Sequence, residues 1–212
     1  MANPPMTYRR CVLTVVLLVP HDYPKNKNPH VAHMDAQDAK KRLDYGNKRY
    51  ASGERIITSP SGPLRQKLAT IKQKPYAAIL CCSDSRAIPE AVFGATAGEL
   101  FIVRNIGNVP SEEAVGSLQF AVEELHIEYI LVMGHRDCDA VAAAMSGTIG
   151  KGALAEALGT LRTAVGESKD FDTAINVNTR FSAIMVREAL KGLKVTVEPA
   201  VLDLATGVVT YL

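Results

Sequence analysis

Two short motifs in this chain gather residues that bind borderline metals: Cys82-Ser83-Asp84-Ser85-Arg86 and His135-Arg136-Asp137-Cys138. Each follows an apolar run, residues 77–80 in the first case and 129–134 in the second. Runs of that kind read as strands buried on both faces of a parallel sheet, where ligand sites form at the strands' carboxyl ends. Cys82, His135 and Cys138 would then meet at one sheet edge. The His-x-x-Cys spacing keeps the last two within one loop or first helical turn. Taken singly, Cys82 reads equally well as a small buried hydrophobe and His135 as a core or capping histidine. Pooled at two strand ends, they describe a zinc site with three protein ligands and an open position. A purely structural zinc would need one more ligand, for which Asp84 is the nearest candidate.

Zinc in such a place makes hydroxide available near neutral pH. Two thiolates cancel the metal's formal charge, so this zinc would be a poorer Lewis acid than one held by three imidazoles. Another group must then manage the proton and orient the water. Asp84, two residues from a ligand, can accept a hydrogen bond from that water. Arg86 can hold the carboxylate through paired N–H donors and keep it ionised. Outside this context the same pair would read as a structural ion pair at a strand end.

Strands alternating with helices must position these motifs, which predicts an α/β fold with a mainly parallel central sheet flanked by helices. A first helix is expected over residues 34–50 with Asp35 as N-cap, and a second over 64–72. Strands follow at 77–80, 99–104 (also expected to be buried) and 129–134, with one helical turn at 89–93. Ser111-Glu112-Glu113-Ala114 opens a helix with acids in its first turn, and Val115, Leu118, Val122 and Leu125 keep a helical spacing. A helix capped by Asp137 or Asp139 should run to about residue 145. Others are expected at 153–165 and 173–190. Strands at 194–197 and 200–204 then lead into a C-terminal hairpin through Thr206-Gly207 to Val208 and Tyr211.

At 212 residues the chain fits one α/β domain with a sizeable core. A net charge of +2 with no clustered basic patch gives no support to nucleic-acid binding. The apolar run 11–19 has nine residues, far below the ~20 that a membrane span needs. Residues 1–34 read as an extension: an added strand or docked arm, a disordered or misassigned start, or a targeting segment. Unpaired cysteines used as ligands suit a reducing compartment, so a soluble, cytoplasmic protein is expected.

The two motifs together resemble the signature of the β-class carbonic anhydrases. The resemblance extends to Gly46-Asn47-Lys48-Arg49-Tyr50 in the N-terminal helical arm, Gly98-Glu99-Leu100-Phe101-Ile102-Val103-Arg104-Asn105 at the second strand and Asp203-Leu204-Ala205-Thr206-Gly207 in the hairpin. It covers residues 35–212, which would form the catalytic domain. It implies zinc on Cys82, His135 and Cys138 and the reversible hydration of carbon dioxide to bicarbonate and a proton. It also implies that Asp84, released from Arg86, can become a fourth zinc ligand and close the site. Gln73 matches a substrate-binding glutamine, and Phe101, Ile106 and Phe120 match apolar pocket positions supplied partly across a subunit interface. A homodimer or higher homo-oligomer follows from that.

Two departures from the family pattern stand out. Asp139 replaces the usual glycine after the last ligand; its backbone N–H can still donate to a bound anion, but its side chain brings negative charge near bicarbonate. Phe120 lacks the hydroxyl of the tyrosine common at its position. Two rival functions share the metal site: hydrolysis of carbon disulfide or carbonyl sulfide on the same scaffold, and a non-catalytic, zinc-stabilised binding protein.

Overall fold

The computed structural model describes residues 33–56 and 58–212. The expectations for residues 1–34 fall almost wholly outside the described residues. The elements run α1 (Ala36–Ala51), α2 (Gly62–Ala69), β1 (Ala77–Cys82), α3 (Pro89–Val92), β2 (Leu100–Asn105), a 3-10 turn (Ile106–Asn108), α4 (Glu112–Glu123), β3 (Tyr129–His135), α5 (Asp139–Met145), α6 (Ala153–Val165), α7 (Phe171–Ala189), β4 (Thr196–Leu202) and β5 (Val209–Tyr211). They build a five-stranded sheet in the order β2-β1-β3-β4-β5, parallel except for the final antiparallel pairing of β5 on β4.

β1 and β3 occupy the middle of the sheet, and every residue of both is buried. Because side chains alternate across a strand, each of the two supplies both layers of the core. Ala77, Ile79, Cys81, Tyr129, Leu131 and Met133 pack under α1 and α3, with Ala39, Leu43 and Phe93. Ala78, Leu80, Ile130 and Val132 face α4 and α7, meeting Leu118, Val122, Ala183 and Val186. A third cluster sits over the carboxyl ends of the strands, where Cys82 and Cys138 pack among Val141, Leu158, Leu161 and Ile175. Truncating a buried aliphatic here, as in Ile79→Ala, would cost about 2–5 kcal/mol.

Local signals account for the helix starts. Asp35, Ser61, Ser111 and Asp170 each accept a backbone N–H from the residue three further on, capping α1, α2, α4 and α7. Gly46 lets α1 lie against α3, since a Cβ there would fall 1.8 Å from the carbonyl oxygen of Phe93. The adjacent Asn47 ties α1 to the hairpin, donating to the Gly207 carbonyl at 2.8 Å and accepting from the Val209 N–H at 2.9 Å.

Several boundaries differ from the sequence-based expectation. β1 runs on through Cys82, because Cys81 and Cys82 still pair with Arg104 and Asn105 of β2. β2 is half-buried rather than buried, since it forms the sheet's edge and has a partner on one side only. Residues 196–202 form one strand, not two segments broken at Pro199. The Pro199 carbonyl accepts from Leu212 N–H, so its missing donor lies on the β5 side and the β3–β4 pairing runs through it unbroken. No helix among the described residues is long and apolar enough to cross a membrane.

Candidate metal centre

Cys82 is the last residue of β1 and His135 the last of β3, and these strands are hydrogen-bonded neighbours. Cys138 immediately precedes α5. One donor atom from each of the three lies within 4.8 Å of the other two, and all three residues are buried. The Nδ1 of His135 lies 2.8 Å from the carbonyl oxygen of Arg136. A carbonyl can only accept, so Nδ1 carries the proton and Nε2 presents its lone pair to the cluster. That Nε2 is buried without a hydrogen-bond partner. An orphaned imidazole nitrogen beside two sulfurs is a donor set that fits zinc.

One sulfur of the pair is prepared for the ionised form. Hydrogen bonding from Cys138 lowers the Cys82 thiol despite its burial, helped by the backbone N–H groups of Asp84 and Gly107. Cys138, which must donate to Cys82, is raised correspondingly. The pair thus shares a proton that a cation would displace. Cys81, its side chain in the opposite layer, is pushed up to about 12 by burial and takes no part.

Asp84 stands beside this cluster, its Oδ2 3.9 Å from the Nε2 of His135. Arg86 donates from Nε to Oδ1 at 3.0 Å and from Nη2 to Oδ2 at 2.7 Å. This bidentate pairing, chiefly, holds the Asp84 carboxyl at about 2. Arg86 reaches further: Nη1 donates to Oδ2 of Asp137 at 2.8 Å and Nη2 to its carbonyl at 3.0 Å. One guanidinium therefore links the loops after β1 and β3. Asp137 makes that link from a left-handed conformation, φ 57°, which turns the chain back between His135 and Cys138.

Neither aspartate caps α5, contrary to expectation. Cys138 takes the cap position with no side-chain cap bond, Asp137 is engaged by Arg86, and Asp139 lies exposed in the first turn. Two further residues of the site were not singled out from sequence. Arg104, at the end of β2, donates to the carbonyls of Cys82, Asp84 and Ala87 at 3.1, 2.7 and 3.0 Å and so fixes the loop carrying Asp84. Gly107 donates its N–H to the Cys82 sulfur at 3.4 Å. A basic residue one strand over, in register with Cys81, was the available signal for Arg104.

A family model described as carbonic anhydrase matches residues 77–209, which include both motifs. The chain belongs to the β-class carbonic anhydrase family. It is 40% identical over 106 residues to carbonic anhydrase 2 of Mycobacterium tuberculosis, covering 50% of this chain and 51% of that protein. It is 42% identical over 89 residues to a Pseudomonas aeruginosa carbonic anhydrase, covering 39% and 40%. The chain spans about half the length of the curated relatives it matches. Among solved structures, a tetrameric β-carbonic anhydrase from Sordaria macrospora superposes with a TM-score of 0.62 at 26% identity, covering 71% of this chain and 87% of that one. The β-carbonic anhydrase CafA of Aspergillus fumigatus gives 0.61 at 26%, covering 82% and 88%.

The four positions that the β-carbonic anhydrase resemblance marked as a substrate pocket do not meet within one chain. Ile106 follows Asn105, the register partner of Cys82, and lies at the metal-binding end of the sheet. Gln73 and Phe120 line a groove of about 580 Å³ with Tyr76 and His126, where β1 and β3 begin. Phe101, in register with Ala78, is at that same end. The six residues of β1 separate the two ends by about 17 Å.

Proposed function

We propose that this chain catalyses the reversible hydration of carbon dioxide to bicarbonate and a proton, with zinc held by Cys82, His135 and Cys138. The observation that carries the reading is the condition of Asp84. Its carboxylate lies next to the donor cluster, yet both oxygens are taken by Arg86. Three protein donors with the carboxylate held aside leave one coordination position for solvent. Bound there, zinc supplies Lewis acidity and makes solvent acidic near neutral pH.

The chain's own residues do the rest. Asp84, ionised throughout the physiological range, accepts a hydrogen bond from solvent at the open position and so orients it. Arg86 keeps that carboxylate from entering the cluster, and its second hold on Asp137 stiffens the arrangement. Arg104 keeps the supporting loop in place. Carbon dioxide carries no charge, so it needs an apolar wall, and Ile106, packed against the cluster that holds Cys82 and Cys138, can supply part of one. Asp139, exposed and pointing at no cap, can leave its backbone N–H free for a departing anion.

Gln73, Phe101 and Phe120 could join such a site only from a second copy, which supports a homo-oligomer. The half-buried edge strand β2 offers a surface for it, and the Sordaria relative is described as tetrameric. The unpaired Cys81, Cys82 and Cys138 suit a reducing compartment such as the cytoplasm.

Stopped-flow hydration of carbon dioxide by zinc-loaded protein, across neutral to alkaline pH, tests the proposal. Turnover is expected in the parent, and a loss of about 100-fold or more in Asp84→Ala with zinc retained. A silent parent carrying full zinc would overturn the reading.

A further inference from the structure

Behind the donor cluster, the buried face of α7 carries three polar residues, Asn178, Thr179 and Ser182, among apolar ones. Asn178 is 2% exposed and shares that face with Ala174, Ile175, Ala183 and Val186. A buried amide costs stability unless it is hydrogen-bonded. Its Nδ2 donates to the carbonyl of Gly107 at 3.1 Å. Gly107 is the residue whose N–H donates to the Cys82 sulfur.

Gly107 is confined from several directions. It adopts φ 64° and ψ 25°, a left-handed conformation suited to glycine. A Cβ at this position would lie 2.8 and 2.9 Å from the two terminal methyls of Leu161 and 3.3 Å from the Cβ of Ala140. Packing thus closes the Cα side of the turn, the amide of Asn178 grips its carbonyl, and its N–H has the sulfur to point at. The next residue of α7 backs the second ligand strand: a Cβ on Gly134 would lie 2.2 Å from Thr179 Oγ1. Consecutive α7 residues therefore support the chain at Cys82 and directly before His135.

We infer that Asn178 is a positioning residue of the metal centre, holding Gly107 so that its N–H stays on the sulfur of Cys82. A thiolate that accepts an N–H gives less charge to its metal, which offsets in part the charge brought by two cysteine ligands. The inference deepens the proposed function and rests on Cys82 being a metal ligand.

Cobalt(II)-loaded and cadmium-loaded full-length protein test it without reference to turnover. The parent should show a sulfur-to-cobalt charge-transfer band; its absence would count against the metal site itself, and so against the proposed function, before Asn178 is considered. With an NMR-active cadmium isotope, the Gly107 amide proton should show scalar coupling to the metal through the Cys82 sulfur. Asn178→Asp, which turns a donor into an acceptor facing a carbonyl, should abolish that coupling and shift the cobalt band to lower energy. Should Asn178→Asp fail to fold, Asn178→Ser, small and too short to reach Gly107, carries the same expectation. Ser182→Ala, one turn along the same buried face, should change neither signal. The inference is overturned if the parent lacks the Gly107 coupling, if the Asn178 variants keep both signals, or if Ser182→Ala loses them equally.

Discussion

Gly134 offers a quantitative test of how closely α7 is seated against the ligand-bearing strand. In Gly134→Ala the new Cβ would lie 2.2 Å from the Oγ1 of Thr179, about 1 Å short of ordinary contact. Thr179 is wholly buried, and its hydroxyl donates to the Ile175 carbonyl at 2.8 Å. Turning the side chain away would break that bond, worth about 1 kcal/mol, and press a methyl into the same space. Overpacking of a closed core costs about 1–3 kcal/mol. Together these give a destabilisation of about 3 kcal/mol, or a fall in Tm of about 6–12 °C for a chain of 212 residues. The assay is a double-mutant cycle by chemical denaturation at fixed zinc concentration. In a Thr179→Ala background the remaining close atom is Cβ at 3.4 Å, so the Gly134→Ala cost should drop below about 1 kcal/mol. An equal cost in both backgrounds would refute the seating described.

Other expectations follow from the same contacts. Gly46→Ala drives a methyl into the Phe93 carbonyl, backbone that cannot swing aside, and should lower soluble yield and Tm more than Gly134→Ala; a near-parental melting curve would contradict the α1–α3 packing. Arg104→Met removes donors to three carbonyls of the Asp84 loop and should weaken zinc binding about 10- to 100-fold in chelator competition, whereas unchanged affinity would make the clamp irrelevant. Asp203 is held below the usual carboxylate range, first by the Thr206 backbone N–H. Its contribution is therefore present above the unfolded value of about 3.9 and lost as pH falls through the lower folded value. Asp203→Asn should flatten the acid limb of the stability–pH curve, and a limb as steep as the parent's would show the hairpin bond to be inert.

Much of this arrangement is legible in the sequence because its causes are local or periodic. The strands β1 and β3 announce themselves as apolar runs, since burial on both faces leaves no place for polar residues. The ligands follow at the ends of those runs. The Asp35 cap is readable because a side-chain oxygen three residues before an N–H needs nothing beyond the helix itself. What escapes is set by contacts between segments distant in the chain. Asp137 looks like a helix cap until Arg86, fifty-one residues earlier, claims its carboxylate. Asn178 is one polar residue among many on a long helix until Gly107, seventy-one positions away, lies beneath it. Pro199 seems to break a strand, and only its orientation away from β3 lets the β3–β4 pairing continue through it. The substrate positions divide for a similar reason: Gln73 and Ile106 lie at opposite ends of β1, a separation that composition and spacing do not reveal.

The central claim is that two sulfurs and one imidazole converge on a metal that keeps a place for solvent. X-ray absorption at the zinc edge of the purified protein addresses it directly. Two sulfur scatterers at about 2.3 Å, one imidazole at about 2.0–2.1 Å and one further light atom are predicted. A protein that takes up no zinc, or a shell lacking both sulfurs, would contradict the account.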